Sequence, residues 1–232
     1  MINSDTKLYA IAGKPVLHSK SPEIYNGLFH AKKINSHYVK ITAKDAEGIL
    51  SLSKLLGLSG INITAPFKES FMNLGVTADN VSKSIGACNT IRFSDKKIES
   101  FNFDSIGVVK SVNEKMTSLK NRHVLVIGAG GAAKAAVFGL FQQGAYVSIS
   151  NRTKQNAEKL AKVFSVDIVL PENIQNVIHH YDLIVNTIEY PYSIFDISIL
   201  KKGQTVLDAN YKNSIFKDFC IQNNIAFIDG FP

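Results

Sequence analysis

The sequence predicts an α/β protein made of two domains with a cleft between them. Short apolar runs that are typical of strands alternate with helical patterns along the chain, which favours a parallel sheet covered by helices. A glycine-rich segment at 128–131 directly follows one of these strands and begins a helix. The segment 104–119 reads as a helix that carries the chain from one half to the other. We therefore predict one α/β domain over residues 1–103 and a second over residues 104–232.

The order of strands and helices supports this division. In the first half, strands are predicted at 8–12, 37–42 and 60–64, and helices at 22–31 and 46–56. In the second half, strands are predicted at 124–127, 147–150, 183–185, 205–208 and 226–228, with a helix at 132–143 after the first of them. This strand–helix–strand alternation is the sequence pattern of βαβ units.

Composition excludes several classes of protein. The 232 residues are 45% hydrophobic and 19% charged, which is typical of a folded chain with a real core. Cys88 and Cys220 lie far apart without CxxC or Cys/His spacing, so we expect neither a disulfide framework nor a metal site. No apolar run approaches the ~18–20 residues of a membrane span, and the first seven residues are mostly polar. We expect a reduced, cytoplasmic protein that does not bind membranes.

The net charge of +7 allows three interpretations, namely a nucleic-acid binder, a generally basic surface, or a basic cleft for a small polyanion. The lysines are scattered, and no aromatic RNA-binding signature or zinc-finger spacing accompanies them. We therefore expect no nucleic-acid partner. The basic cleft becomes attractive once the following motifs are considered.

The glycine-rich segment fits the dinucleotide-binding pattern G-x-G-x-x-(G/A), immediately after a strand and at the start of a helix. Gly128 permits a tight turn, Gly130 lets the backbone approach a pyrophosphate, and Ala133 allows close packing of helix on strand. The helix N-terminus adds partial positive charge. A glycine-rich turn without a ligand is the alternative. We predict a cofactor-binding loop made of Gly128, Ala129, Gly130, Gly131 and Ala132.

The choice of cofactor is predicted from the end of the next strand. An NAD enzyme places Asp or Glu there to hold the ribose 2′-hydroxyl. This sequence instead has Asn151, Arg152, Thr153 and Lys154. Arg152 can form a paired contact with phosphate oxygens, and Lys154 adds a point charge. The pattern predicts NADP as the cofactor.

Three segments of the first half carry a more specific signal. They read G-K-P-V-L-H-S-K-S-P at 13–22, G-I-N-I-T-A-P-F-K-E at 60–69 and G-A-C-N-T at 86–90. In this order, and followed by the glycine loop and the N-R-T of 151–153, they resemble the shikimate dehydrogenase family. The resemblance implies an N-terminal substrate-binding domain and a C-terminal Rossmann-type NADP-binding domain. It also implies NADP-dependent reduction of 3-dehydroshikimate to shikimate, in chorismate and aromatic amino-acid biosynthesis.

The resemblance further implies roles for particular residues. Its substrate contacts are Ser19 and Ser21, whose hydroxyls bind the carboxylate, together with Thr64, Asn89 and Tyr211. Lys68 and Asp104 match the pair at the reacting hydroxyl, where Lys68 exchanges a proton with the C3 oxygen of the substrate.

Some of these residues can also be interpreted without the resemblance. Pro66 fits the first position of a helix, which places Lys68 in the first turn, where a cation opposes the helix dipole. This unfavourable position suggests a lysine kept for chemistry, but without the resemblance a solvated surface lysine is the preferred interpretation, and the resemblance reverses that preference. Ser21 before Pro22 is a suitable N-cap, and so is Asp104 before the linker helix. Capping and ligand binding can coexist.

The sequence departs from the family pattern in three places. Around Asp104 the family reads N-T-D-G, whereas this sequence reads N-F-D-S at 102–105, with Phe103 in place of a small polar residue. The segment 186–191 reads N-T-I-E-Y-P instead of N-A-T-(S/P)-x-G, in a loop that in the family lies near the nicotinamide half of the cofactor. The family also continues beyond its D-G dipeptide into a segment whose glutamine contacts the substrate and whose helix returns to the first domain. This sequence ends at Pro232, so we expect that helix to be absent.

Two alternatives stay open at this point. A non-catalytic or weakly active NADP-binding relative would account for the missing C-terminal segment. A quinate/shikimate dehydrogenase, which can favour NAD, is opposed by Arg152 without an acidic neighbour. The expected partner is a small-molecule substrate, and the protein is expected to act as a monomer or a homodimer.

Overall fold

The computed structural model describes residues 3–188, 194–210 and 214–230. The chain divides into two compact units, Met1–Phe103 and Asp104–Pro232. In the described residues, each unit is built on its own six-stranded sheet.

The first unit contains six strands and three α-helices within its described residues. In chain order they are β1 (Lys7–Ala12), α1 (Ser21–Ala31), β2 (Ser36–Ile41), α2 (Ala46–Leu55), β3 (Gly60–Ile63), β4 (Thr77–Ala78), α3 (Asn80–Ile85), β5 (Thr90–Phe93) and β6 (Ile98–Phe101). A 3₁₀ helix at Ser70–Asn73 follows β3. The three predicted strands and two predicted helices are confirmed, each with bounds within one residue of the prediction. Helix α3 and strands β4 to β6 were not predicted.

The first sheet is mixed, which corrects the expectation of a parallel sheet. Its strand order is β2-β1-β3-β5-β6-β4. Strand β1 pairs in parallel with β2 and β3, whereas β5 is antiparallel to both β3 and β6. Strands β5 and β6 are joined by a tight turn in which the Ser94 N–H donates to the Lys97 carbonyl oxygen. A connection this short can only join antiparallel strands.

One face of the first sheet carries the main core of the unit. Ile49 of α2, Ile61 of β3, Phe71 of the 3₁₀ helix and Ile91 of β5 are all buried there. Helix α2 begins at Asp45, whose carboxylate accepts from the Gly48 N–H at 2.8 Å, as an N-cap does. The α2 side of the sheet is thus closed by apolar burial and a capped helix.

The opposite face of the first sheet is covered by α1, and no residue of this helix is fully buried. Its contacts to the sheet are aromatic, and Tyr25 stacks on Tyr38 of β2 with ring centroids 4.6 Å apart. The Asn26 side chain bonds both backbone groups of Tyr38, at 2.8 and 2.9 Å. Helix α1 is therefore held on the sheet mainly through Tyr38.

The second unit contains six strands and five α-helices within its described residues. In chain order they are α4 (Asp104–Asn113), β7 (His123–Ile127), α5 (Gly131–Gln142), β8 (Tyr146–Ser150), α6 (Lys154–Phe164), β9 (Asp167–Ile168), α7 (Ile174–Val177), β10 (Leu183–Asn186), β11 (Thr205–Asp208), α8 (Lys217–Gln222) and β12 (Ala226–Asp229). The linker helix α4 ends at Asn113, before the predicted end at residue 119. The residues that follow include Thr117 and Ser118, which are poor helix formers.

The second sheet has the strand order of a Rossmann fold, as predicted. It runs β12-β11-β10-β7-β8-β9, and every pair is parallel. Counted from β7, this is the doubly wound order in which the direction of winding reverses between the first and fourth strands. The reversal lies between β7 and β10, and ligands of such sheets bind beyond the carboxyl ends of the strands at that point.

Helix α4 packs closely on α5 in the second unit. A Cβ added to Gly139 of α5 would lie 2.7 Å from the Ser105 carbonyl oxygen of α4, so a side chain there would force the helices apart. Val108 and Val112 of α4 are fully buried in the core that includes Val137 and Leu140 of α5. The linker helix is thus an integral part of the dinucleotide-type fold.

Among the helices of the described residues, none combines the length and the apolar character that crossing a lipid bilayer requires. In the same ranges, no group of three or more His, Cys, Asp or Glu side chains is placed to hold a metal ion. Both cysteines are buried and are not joined in a disulfide.

Candidate functional site

Ser19 and Ser21 lie side by side at the start of α1. The Ser19 hydroxyl is 3.1 Å from the Ser21 hydroxyl and accepts from the Ser21 N–H at 3.2 Å. Helix α1 begins at Ser21 itself, with Lys20 in the cap position and no side-chain cap, so the prediction of Ser21 as N-cap is wrong. Two adjacent hydroxyls at a helix N-terminus can bind a carboxylate.

The segment after β1 lies against the segment after β3, which carries Thr64. The Thr64 N–H donates to the Ala12 carbonyl oxygen at 2.9 Å, and the Lys14 N–H donates to that of Ala65 at 3.1 Å. A Cβ added to Gly13 would lie 2.3 Å from Cγ2 of Thr64. Gly13 is therefore required for this close approach.

Lys68 lies in a turn, which corrects its predicted place in the first turn of a helix. The Phe67 N–H donates to the Thr64 carbonyl oxygen at 3.1 Å, and the 3₁₀ helix begins only at Ser70. The Ala65–Pro66 peptide bond is cis. The φ angle that proline prefers suits a turn as well as a helix start, so Pro66 did not distinguish them. The argument from the helix dipole therefore does not apply to Lys68.

Backbone hydrogen bonds join the Lys68 turn to the loop that carries Asn89. The Cys88 N–H donates to the Lys68 carbonyl oxygen at 2.9 Å. The Ile63 N–H donates to the Asn89 carbonyl oxygen at 2.7 Å, and the Asn89 N–H donates to that of Phe101 at 3.0 Å. These bonds hold the Lys68 turn and the Asn89 loop next to each other, beyond the carboxyl end of β3.

A side-chain network fixes the orientation of the Asn89 amide. The Tyr38 hydroxyl donates to Asn62 Oδ1 at 2.6 Å, and Asn62 Nδ2 donates to Thr90 Oγ1 at 3.0 Å. Thr90 Oγ1 donates to Asn89 Oδ1 at 2.9 Å, and the backbone N–H of Phe103 donates to the same oxygen at 3.1 Å. A backbone N–H can only donate, so it identifies the amide oxygen. A ligand atom that meets this amide is thus met by its Nδ2 donors.

Tyr38, Asn62 and Thr90 were not among the residues predicted from the sequence. Asn62 gave a weak signal, because it is a polar residue inside the otherwise apolar strand β3. Tyr38 is 3% exposed, and burial raises its pKa, so its hydroxyl remains a hydrogen-bond donor at neutral pH. The partner of each residue lies on another strand, which spacing alone does not reveal.

The Cys88 thiol is buried beside the Lys68 turn. Burial raises its pKa to about 12, and the positive charge of Lys68 opposes this increase only in part. A thiol with this pKa is protonated at neutral pH and is a poor nucleophile. Cys88 is therefore not suited to act as a nucleophile in this loop.

The glycine loop of the second unit has the geometry that its motif predicts. Gly128 has φ +121°, and a Cβ there would lie 2.2 Å from Thr187 Oγ1. A Cβ on Gly130 would meet no protein atom within 4 Å, which leaves open space beside the backbone. Ala133 is fully buried under the sheet. The amides of Gly131 and Ala132 begin helix α5 beside that open space.

The loop after β8 presents the predicted cations to solvent. Arg152 is exposed, and Asn151 Nδ2 donates to the Thr153 carbonyl oxygen at 2.9 Å. Lys154 begins α6 and lies 3.6 Å from Glu158, one turn further on. Exposed pairs of this kind are weak, so Lys154 can still contribute charge to a bound phosphate. Of the two, only Arg152 has the planar guanidinium that a paired contact with phosphate oxygens requires.

Asp104 and Tyr211 were also predicted as site residues. Asp104 is the first residue of α4, inside the first turn rather than at the predicted N-cap, and a carboxylate in that turn suits the helix dipole. Tyr211 lies outside the described residues.

The all-parallel sheet in Rossmann order, with a glycine turn at its switch point, makes this chain an α/β protein of the dinucleotide-binding class. Comparison with known proteins gives the particular family. The profile of the shikimate dehydrogenase substrate binding domain matches residues 11–91, and that of shikimate/quinate 5-dehydrogenase matches residues 110–225. The chain belongs to the shikimate dehydrogenase family.

Individual relatives match nearly the whole chain in sequence and in structure. The NADP(+) shikimate dehydrogenase of Aquifex aeolicus is 35% identical, over 100% of this chain and 88% of the relative. The crystal structure of the Aquifex aeolicus shikimate dehydrogenase superimposes with a TM-score of 0.93 at 34% identity, covering 99% of this chain and 88% of that one. A shikimate dehydrogenase in complex with NADP+ superimposes with a TM-score of 0.89 at 30% identity, covering 99% and 86%.

Proposed function

We propose that this chain catalyses the reversible, NADP-dependent reduction of 3-dehydroshikimate to shikimate, in the biosynthesis of chorismate and aromatic amino acids. The observation that carries the proposal is the match of both units, in order, to the two domains of the family, with a named NADP(+) enzyme 35% identical over the whole chain. The exposed Arg152 after β8, where an NAD enzyme places a carboxylate, supports NADP as the cofactor.

Substrate binding is proposed for residues of the first unit. The adjacent hydroxyls of Ser19 and Ser21 receive the substrate carboxylate. Thr64 and Asn89, at the end of the same sheet, are further substrate contacts, and the network behind Asn89 fixes the orientation of its amide. Tyr211 is proposed as a further substrate contact from the family resemblance.

The chemical step requires a hydride at C3 and a proton at the C3 oxygen. Bound NADPH supplies the hydride with its electron pair. We assign the proton to Lys68, whose turn is held by the Cys88 N–H, with Asp104 as the acidic partner that the family pairs with it. In the reverse direction Lys68 accepts the proton from the C3 hydroxyl. The loop Gly128, Ala129, Gly130, Gly131 and Ala132 is proposed to bind the pyrophosphate, and Asn151, Arg152, Thr153 and Lys154 the 2′-phosphate.

We also propose that the protein works in the cytoplasm, as a monomer or a homodimer, without a nucleic-acid partner. The scattered distribution of its lysines supports the last of these proposals.

The test is an assay of purified protein with shikimate or quinate, each with NADP or NAD, followed by the absorbance of the reduced nicotinamide. We expect the highest kcat/KM with shikimate and NADP. A higher value with quinate and NAD would replace the proposal by a quinate dehydrogenase. Firm NADP binding with no turnover on either substrate would identify a non-catalytic relative.

A further inference from the structure

A cluster of buried polar side chains lies at the carboxyl ends of β10 and β11, beside the switch point of the second sheet. Asn186 ends β10 and Asp208 ends β11, and the two residues are paired in the sheet. Asp208 is 1% exposed and Asn186 is 3% exposed. With Asn210, which follows β11, they form what we call the Asp208 cluster.

The Asp208 cluster is organised around one carboxyl oxygen. Asp208 Oδ1 accepts from Asn186 Nδ2 at 2.9 Å and from both the backbone N–H and Nδ2 of Asn210 at 3.0 Å. Asn186 Nδ2 also donates to the Ile188 carbonyl oxygen at 3.1 Å, and Asn210 Nδ2 donates to the same oxygen. Both amides therefore bridge Asp208 to the backbone of Ile188.

The segment held in this way forms one wall of the glycine loop. The Thr187 N–H and hydroxyl both donate to the Ile127 carbonyl oxygen, at 2.9 and 2.8 Å. The position of a Cβ on Gly128 is 2.2 Å from Thr187 Oγ1 and 3.4 Å from Ile188 Cγ2. The Asp208 cluster thus holds the backbone of Ile188, the residue after Thr187, beside the first glycine of the dinucleotide motif.

The Asp208 cluster has an energetic cost at the carboxyl end of the sheet. Within the described part of the chain, Asp208 Oδ2 is buried and has no hydrogen-bond partner. A buried polar atom without a partner destabilises the folded state. Packing alone would favour an apolar residue at the end of β11, so the carboxyl group indicates a positional requirement.

The location of the cluster indicates which half of the cofactor it serves. Strand β7, which leads into the glycine loop, pairs with β8 on one side and with β10 on the other. The adenosine half of a dinucleotide lies towards the strand that carries the 2′-phosphate loop, here β8 with Arg152. The nicotinamide half of a bound dinucleotide would then lie on the side of β10 and β11, where Thr187 and Ile188 follow β10.

We propose that Asn186, Asp208 and Asn210 are positioning residues that fix Thr187 and Ile188 as the support for the nicotinamide half of the bound cofactor. The inference rests on the proposed NADP-dependent function. It assigns to the cluster an effect on binding and turnover that the 2′-phosphate loop does not share.

The test compares two ligands that differ by the nicotinamide half. NADP and adenosine 2′,5′-bisphosphate are each titrated against wild type, Asp208→Asn and Asn210→Ala, and kcat with shikimate is measured for each protein. We expect NADP affinity to fall ~5–20-fold and kcat ~10-fold in Asn210→Ala, which loses both hydrogen bonds of its side-chain amide. Asp208→Asn should show a smaller loss of the same kind, because it keeps an acceptor oxygen at the Oδ1 position and loses only the negative charge. Affinity for the bisphosphate should stay within about twofold, because that ligand ends before the cluster.

The matched control is Asn223→Ala, which removes an exposed amide that bonds the Phe219 carbonyl oxygen on α8. It should leave both affinities and kcat unchanged. If Asp208→Asn does not fold, as judged by its thermal unfolding, Asn210→Ala decides the question, since it keeps the buried carboxyl group. Equal loss of both ligands, or no loss of either, would overturn the inference.

Failure of the proposed function would look different. A wild-type protein that binds NADP but turns over no shikimate would remove the enzymatic assignment, while the two affinities would still test the cluster. If the wild type binds NADP no more tightly than the bisphosphate, the nicotinamide half contributes no affinity at this site. That result would also contradict the inference.

Discussion

The two units orient their candidate ligand groups by different physical means. In the first unit, side-chain hydrogen bonds set the orientation, as Asn62 and Thr90 do for the Asn89 amide. In the second unit, the backbone sets the geometry, since Gly128 has φ +121° and no room for a Cβ beside Thr187. The geometry of the candidate substrate site depends on side chains that other residues could replace. The geometry of the glycine loop depends on a backbone conformation that only glycine adopts easily.

This difference has consequences for substitution. A network of neutral side chains loses one hydrogen bond at a time, and each is worth on the order of 0.5–1.5 kcal/mol net. A positive-φ glycine in close contact has no conservative replacement. We therefore expect graded effects on substrate binding in the first unit and abrupt effects on cofactor binding in the second. The residue assigned to the chemistry itself is the exception in the first unit.

The largest expected effect is that of Lys68→Ala. Removing a positioned acid/base group should lower kcat by ~10²–10⁴-fold while the KM for shikimate changes little. The measurement is steady-state kinetics in both directions of the reaction. Lys83→Ala, at an exposed position of α3 in the same unit, is the matched control and should behave as wild type. Near-normal turnover in the Lys68 variant would remove this residue from the chemistry.

Arg152→Ala should have the next largest effect, and it separates the two cofactors. Loss of a charge-assisted bond to the 2′-phosphate should weaken NADP binding by ~10–150-fold and leave NAD binding almost unchanged. Lys154→Ala should weaken it less, because an ammonium group contributes a point charge and cannot make the paired contact of a guanidinium. Titration of both cofactors checks this, with Lys162→Ala at the far end of α6 as control. Equal weakening of NADP and NAD would contradict the role of Arg152.

Gly128→Ala tests the backbone side of the comparison. Holding a non-glycine residue at this φ costs on the order of 1–3 kcal/mol, so NADP affinity should fall by ~5–150-fold as the loop shifts away from Thr187. Gly27→Ala is the control, because a Cβ at this position of α1 meets nothing within 4 Å. A Gly128→Ala variant that binds both NADP and adenosine 2′,5′-bisphosphate normally would show that the loop tolerates the strain.

The dinucleotide unit could be predicted well from the sequence because its constraints are local. A strand, three glycines and a helix follow one another directly, and their spacing carries the physics of the turn. The same locality explains why the five elements of the first half were predicted correctly. The β5–β6 hairpin was missed because its strands have only four residues each and its turn lacks an Asn-Gly or Asp-Gly pair.

The orienting residues of the first unit could not be predicted in this way. Tyr38 bonds Asn62 across 24 positions of the chain, and Asn62 bonds Thr90 across 28. No period or spacing marks such pairs, because the fold alone brings the strands together. Lys68 shows the opposite error, since a local rule for proline predicted a helix where the chain forms a turn.

The smallest expected effect, and the sharpest test of the side-chain network, is that of Tyr38→Phe. The substitution keeps the ring that stacks on Tyr25 and removes only the hydroxyl that donates to Asn62 Oδ1. Asn62 then loses the partner that fixes its amide. Because Asn62 donates to Thr90 and Thr90 donates to Asn89, the Asn89 amide is then held less firmly. Loss of one neutral hydrogen bond should raise the KM for shikimate by ~2–10-fold, with kcat and NADP affinity nearly unchanged. Tyr146→Phe, at an exposed tyrosine of β8, should change none of these values. If Tyr38→Phe lowered kcat or NADP affinity as much as it raised KM, the network would be supporting the fold in general rather than orienting the substrate contact.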